Sequence, residues 1–268
     1  MTNIILQELQ NCRTIDLGQT LSQSTPYHPN YPPFTMSLQY RHGDWTTPNG
    51  MTFASELIFM TGHTGTHIDA VGHCVGHPEI PGTPKTDSTG SGLKGGSVDE
   101  IEPIIGRGVL LDCAAFAGLN CLPDTHSISG SELAAVAAAQ GVEILPGDAV
   151  LIRTGRGQFW DNASKFFDPN GSSPGPDTDA CNWLADRSVA LVGTDTLTFE
   201  TIEPTMAEFG QGHLALFAKS IPIVECLALE ELSAAKIWEF IFILSPLKIV
   251  GGTGSPVRPF AIVPKVRK

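Results

Sequence analysis

Basic charge is scarce in this chain: 16 Lys and Arg stand against 28 Asp and Glu over 268 residues, a net charge of −12. No local run of Lys and Arg offsets that balance, so binding to nucleic-acid phosphates or to an anionic membrane surface is excluded as a function class. Long apolar runs are missing too. FIFIL at 240–244 is bounded by Glu239 and Pro246 and falls well short of the roughly 18 residues that suggest a membrane span. The first residues, MTNIILQELQNCRTIDL, have neither the basic start nor the long apolar core of a signal peptide, and a cytoplasmic location is expected. None of the six cysteines (Cys12, Cys74, Cys113, Cys121, Cys181, Cys226) forms a CxxC pair, so free thiols in a reducing compartment are expected rather than a disulfide framework. Internal repeats and low-complexity linkers are also absent, which favours a single domain over residues 1–268.

What is present reads as a globular, loop-rich enzyme: 41% hydrophobic residues, with 28 glycines and 20 prolines spread without a period. β-branched runs bounded by Gly or Pro predict strands at 108–113, 149–154, 189–194, 221–226, 240–245 and 260–264, with another at 56–60. Helical signals are fewer. They predict helices at 131–140, ending on Gly141, at 177–186 behind a capping Asp177, and a short one at 230–238. Residues 156–176 read as a long loop. Strands outnumber helices and the two are interspersed, which predicts a mixed α/β fold.

One stretch departs from the rest. Four of the eight histidines, His63, His67, His73 and His77, fall within residues 61–77, TGHTGTHIDAVGHCVGH, with Asp69 among them. Gly62, Thr64, Gly65, Thr66 and Gly72 are poor helix formers, so an extended segment running into a loop is expected. On such a segment His63, His67, Asp69 and His73 point one way. Imidazole and carboxylate suit zinc, manganese or iron without thiolates, and three protein ligands leave a coordination position open, as catalytic sites do. His77, beside Pro78, reads either as loop surface or as the periphery of this site.

HTGTHIDAVGH (63–73) resembles the His-x-Gly-Thr-His-x-Asp-x-Pro-x-His signature of the metal-dependent cyclase-like hydrolases, a superfamily that includes kynurenine formamidase, isatin hydrolase and a dienelactone hydrolase. Val71 stands where that signature has proline. The resemblance extends along nearly the whole chain, through IDLGQTLSQSTPYHPNYPPF, SPGPDTDACNWLADRSVALVGTDTLTFE, GHLALFAKSIPIVECLALEEL and PLKIVGGTGSPVRPFAIV. It implies a swivelling β/β/α fold with a mixed-sheet core and a homodimer or homotetramer. It further implies that His63, His67 and Asp69 bind one divalent cation, Zn2+ or Mn2+. His73 is then the general acid/base or a ligand of a second cation, and His213 and Glu225, twelve apart as in the dinuclear formamidases, complete that second site. Taken alone, His213 could cap a helix and Glu225 could be a rim residue, yet Glu225 interrupts the apolar run IPIVECLAL, where an ionised carboxylate is costly unless paired or ligated.

The expected reaction is hydrolysis of a C–N bond in a linear or cyclic amide, with an aromatic or cyclic small molecule as substrate. A lactone or ester substrate on the same metal site is the alternative, and a non-catalytic metal-binding protein is a third reading. A bound divalent ion acidifies water and polarises a carbonyl, and a histidine with an ordinary pKa of about 6.5 can move the proton. Other features carry less. Cys74 follows His73, but neighbours on an extended segment face opposite ways. GGTGSPVR (251–258) lacks the Lys of a phosphate-binding loop and reads as a substrate-lining turn or a plain hairpin. Asp195 is either a partner that orients a histidine or a turn residue. Residues 27–34, with Phe53, Phe59, Trp45, Phe159 and Trp160, are candidates for an apolar pocket wall.

Overall fold

A computed structural model describes residues 2–76, 85–168, 170–206 and 209–265. Nine strands form one mixed sheet: β1 (Cys12–Asp16), β2 (His67–Asp69), β3 (Ile104–Asp112), β4 (Ala149–Arg153), β5 (Leu191–Thr194), β6 (Ile223–Glu225), β7 (Glu239–Leu244), β8 (Gly254–Pro256) and β9 (Phe260–Pro264). Their spatial order is β1-β9-β7-β3-β4-β5-β6-β2-β8. The central four, β3 to β6, are parallel. Antiparallel strands flank them, with β7, β9 and β1 on one side and β2 and β8 on the other.

Both faces of the parallel block are covered, which is why its strands read as continuous apolar runs rather than alternating ones. Along β4, Val150 and Ile152 enter one core and Leu151 the other. The first core lies under the helices Gly130–Gln140 and Thr178–Asp186 and the short helix Gln211–Phe217. In the second, the sheet curls so that β1, β2, β7 and β9 contribute Ile15, Ile68, Phe242 and Ala261 to a shared interior.

Every strand predicted from the sequence is present within a few residues, including Ser55–Phe59. The helices at 130–140 and 178–186 start where their capping side chains sit: Ser129 accepts from the Glu132 amide and Asp177 from the Ala180 amide. The third predicted helix is shorter, Glu230–Ala234. Four helices among the described residues were not expected: Thr2–Gln10, Gln211–Phe217 and the single turns Cys113–Phe116 and Ala163–Phe166. The loop at 156–176 holds a 3-10 turn and a helical turn, and its Trp160 and Phe166 pack onto Cys226, directly behind the end of β6. No helix among the described residues is long and apolar enough to cross a membrane.

A separate hairpin, Thr35–Tyr40 with Ser55–Phe59, projects from the sheet. Met36, Leu38, Tyr40, Leu57, Ile58 and Phe59 are all exposed on it, Phe59 at 64%. It leads directly into the segment that carries His63.

Candidate metal centre

β2 is only three residues long, but its register fixes the centre. His67 lies opposite Glu225 of β6, and Asp69 lies opposite Ile223. Strand alternation puts His67, Asp69 and Glu225 on one side of the sheet, while Ile68 and Val224 between them enter the apolar interior. A slip of one residue would exchange the two sets, and the burial of Ile68 and Val224 opposes it. On the other edge of β2, Gly254 of β8 pairs with Asp69. A Cβ at Gly254 would stand 2.8 Å from His63 Cε1 and 2.8 Å from the Ile68 carbonyl, so glycine there makes room for the His63 ring. Gly65 is required twice over: its φ is +65°, and a Cβ would overlap Leu21 of the N-terminal loop.

Four side chains meet around Asp69. His63 Nδ1 lies 2.6 Å from Asp69 Oδ1, and His63 Nε2 lies 2.9 Å from Thr253 Oγ1. His67 Nδ1 donates to the Gly65 carbonyl at 2.9 Å, which leaves Nε2 3.3 Å from both Asp69 Oδ1 and Glu225 Oε2. From the helix Gln211–Phe217, His213 Nε2 lies 3.5 Å from Glu225 Oε1 and 3.9 Å from Asp69 Oδ2. Asp69 thus turns one oxygen to each side. Among the described residues, His63–His67–Asp69 and Asp69–His213–Glu225 each bring three potential ligand atoms within 4.8 Å of one another, and they share Asp69. The residues read from the sequence as two ligand sets therefore converge, although the second set lies far along the chain.

His73 belongs to neither group but lines the same cavity of about 190 Å³ and packs its ring on His63, centroids 4.1 Å apart. It sits in a turn in which its amide donates to the Ala70 carbonyl, so the bend forms with Val71 in the proline position. That turn also corrects the expected alternation: Cys74 lines the cavity together with His73. The thiol is nevertheless no nucleophile, since burial and the carboxylates Asp69, Glu225 and Glu200 push it up to about 12. His77 lies outside the described residues.

The remaining candidates divide. Of residues 27–34, His28 and Tyr31 line the cavity, and Tyr31 stacks on His63 at 5.7 Å. Phe53, Phe59 and Trp45 are exposed on or beside the hairpin, and Trp160 is buried with its indole N–H on the Thr20 carbonyl, so none of these forms the wall. Leu197, Thr198 and Phe209 take that place. Residues 251–258 form neither a phosphate loop nor a hairpin but the edge strand against β2, whose Thr253 touches His63. Asp195 orients no histidine. It accepts from the Thr154 amide and hydroxyl and from the Gly155 and Gly157 amides, and so holds the turn after β4. Glu200 is the residue that faces a histidine, and sequence reasoning passed over it: it accepts from the Gly212 and His213 amides at 2.8 and 2.7 Å and from His213 Nδ1. Its neighbour Phe199 donates its amide to Glu225 Oε1 at 2.7 Å, so one dipeptide holds both remote residues.

The charge balance fits a divalent cation. Asp69 and Glu225 are buried, and no Lys or Arg among the described residues lines the cavity. Burial raises the Asp69 pKa, but hydrogen bonds from His63 and His67 outweigh it and hold the carboxyl well below its usual range. Burial and the charge of Asp69 raise Glu225, and the bonds from His213 and His67 bring it below the ordinary value. Burial opposes protonation of His67 and His213, yet the facing carboxylates push both up to about 10. Burial instead lowers His73, which stays neutral at pH 7. Two anions that only exchangeable protons counter are the electrostatic arrangement that a cation replaces.

A sequence model of the family described as "Putative cyclase" matches residues 15–201. An isatin hydrolase of Roseibium aggregatum is 25% identical over 264 residues, covering 94% of this chain and 92% of its own. A kynurenine formamidase of Bordetella petrii is 27% identical over 254 residues, covering 92% and 96%. Among solved structures, isatin hydrolase A from Labrenzia aggregata bound to benzyl benzoate superposes with a TM-score of 0.77 at 26% identity, covering 98% of this chain and 99% of that one. An isatin hydrolase bound to the product analogue thioisatinate shares the fold at 23% identity, TM-score 0.77, over 98% of this chain and 97% of that one.

Proposed function

The chain belongs to the cyclase family, and from that premise we propose that it is a metal-dependent hydrolase that cleaves the C–N bond of a linear or cyclic amide. The observation that carries the reading is the shared Asp69, with Oδ1 facing His63 and His67 and Oδ2 facing His213. His63, His67 and Asp69 would hold one divalent cation, Zn2+ or Mn2+, and Asp69, His213 and Glu225 a second. When bound, such an ion supplies Lewis acidity, polarising a carbonyl and making water acidic enough to attack near neutral pH.

The chain's own residues supply the rest. His73 faces the cavity unprotonated at pH 7, so it can take a proton from attacking water and return it to the leaving nitrogen. Asp69 and Glu225 stay ionised across the physiological range and can hold that water through its hydrogens. Tyr31, Leu197 and Phe209 line the cavity beside the imidazoles and carboxylates, and a planar or aromatic amide suits those surfaces. Isatin hydrolase and kynurenine formamidase, by their names, act on amides of this kind. The exposed apolar hairpin Thr35–Tyr40/Ser55–Phe59 supports assembly into a homodimer or homotetramer, which light scattering reads directly.

The test is an assay of the chelated protein reconstituted with Zn2+ or Mn2+, against N-formylkynurenine, isatin and small lactones. Metal-dependent turnover of an amide is expected, lost in His67→Ala. Turnover of lactones alone would move the reading to an ester hydrolase. Stoichiometric metal without turnover of any of them would make the protein a metal binder.

A further inference from the structure

Glu200 is buried, at 2% exposure, and lies outside both ligand groups. Its two oxygens meet three N–H groups: Gly212 N, His213 N and His213 Nδ1. The two backbone contacts fix where the carboxylate sits, and the ring contact fixes the imidazole. A carboxylate is an acceptor only, so Nδ1 carries a proton, and when the ring gives up its second proton the lone pair falls on Nε2, towards Glu225 and Asp69. We propose that Glu200 is the positioning residue of the second cation site, holding His213 in the Nδ1–H form with Nε2 free to ligate. The inference rests on the two-cation reading above. It deepens that reading by adding a residue whose charge reaches the cation only through His213.

Gln is nearly isosteric but cannot do the same work. Its NH2 group faces an N–H donor whichever way the amide turns, either at Gly212 or at His213. Glu200→Asp keeps the charge and draws it back by one methylene. No equivalent partner exists for His67, whose Nδ1 is held by the Gly65 carbonyl, so the first site does not depend on Glu200.

The test titrates metal-free wild-type, Glu200→Gln and Glu200→Asp proteins with Zn2+ in competition with a chromophoric chelator. Melting in EDTA accompanies it as a check of fold. Wild type is expected to take two equivalents. Glu200→Gln should keep the tight first site and weaken the second by about 10- to 100-fold, the range typical for loss of a partner behind a ligating histidine. Glu200→Asp should recover part of that loss. The 15N spectrum of the imidazoles, with His213 assigned by comparison with His213→Gln, should show the Nδ1–H form in the zinc-loaded wild type. A residue that merely capped the helix would lower the melting temperature without changing the ratio of the two affinities. An unchanged ratio in Glu200→Gln, or equal weakening of both sites, overturns the inference alone. A wild-type protein that takes a single equivalent overturns the two-cation reading, and the inference falls with it.

Discussion

Two clusters of buried carboxylates lie in this sheet, and they are neutralised differently. At the ends of β3 and β4, Asp112 is bonded to Arg153 at 3.0 Å, to the Ala115 amide and to the Ser233 hydroxyl, while Asp195 gathers the amides that follow β4. Between β6 and β2, the only cationic partners Asp69 and Glu225 face among the described residues are imidazoles, with the Phe199 amide donating to Glu225 besides. A guanidinium is charged at every accessible pH and its bonds are permanent. An imidazole gives up its proton, so the second cluster has a charge that can be exchanged for another cation. Burial alone therefore does not separate the centre from the scaffold. The chemistry of the countercharge does.

The sharpest way to break this contrast is a pair of substitutions. Asp69→Asn removes the carboxylate common to both ligand groups, and it is expected to abolish binding of both cations and all turnover while the metal-free protein stays folded. Arg153→Met strands the buried Asp112 and is expected to cost about 3–5 kcal/mol of stability, with metal stoichiometry unchanged in the folded fraction. Denaturant unfolding in EDTA together with metal analysis reads both. If Asp69→Asn unfolds the chain as Arg153→Met does, the two clusters are alike.

Protons sharpen the contrast next. His67 and His213 are protonated at pH 7 without metal because their pKa values rise from 6.5 to about 10. Ligation needs neutral rings, so cation binding should release protons, seen as a calorimetric heat that depends on the ionisation enthalpy of the buffer. Affinity should climb from pH 6.5 towards 10. The metal-free protein should move the opposite way. A raised folded pKa contributes stability that is complete below about 6.5 and disappears as pH passes about 10. Binding that released no protons would contradict the assignment.

The smallest effect is expected at Thr253→Val, which removes the hydroxyl from His63 Nε2. A roughly tenfold loss of first-site affinity is expected, with the second site untouched. An equal loss at both sites would mean that the groups are not separable.

How far the centre was legible follows the same lines. His63, His67 and Asp69 lie within seven residues, and Gly and Thr exclude a helix there, so their convergence could be read from spacing. The pairing of His213 with Glu225 was reached only through the resemblance; locally, Glu225 alone stood out, as a carboxylate inside the apolar run IPIVECLAL. The helix that carries His213 went unread because its capping carboxylate is Glu200, a cap supplied from outside the helix rather than from the residue before it. Asp195 stayed open between two readings for a related reason: an acid at a strand end can hold a histidine or a turn, and only the tertiary approach of Thr154 decides for the turn. Phe53, Phe59 and Trp45 looked like pocket walls because hydropathy marks a surface hairpin and a cavity lining alike. The parallel block, in contrast, was readable strand by strand because it is buried on both faces, whereas the short or edge strands β1, β2 and β8 carried no apolar run that marked them.

The pairing of β2 bears on how the protein is made. His67 is held between Glu225 and Pro256, both synthesised long after it. At ordinary translation speeds the histidine motif leaves the ribosome on the order of ten seconds or more before either neighbour exists. Until β6 and β8 arrive, His67 and Asp69 have no strand on either side, and the pairs that define them are among the longest-range contacts in the chain, the kind that form late. On the two-cation reading, loading with metal is then a step that follows synthesis of both β6 and β8.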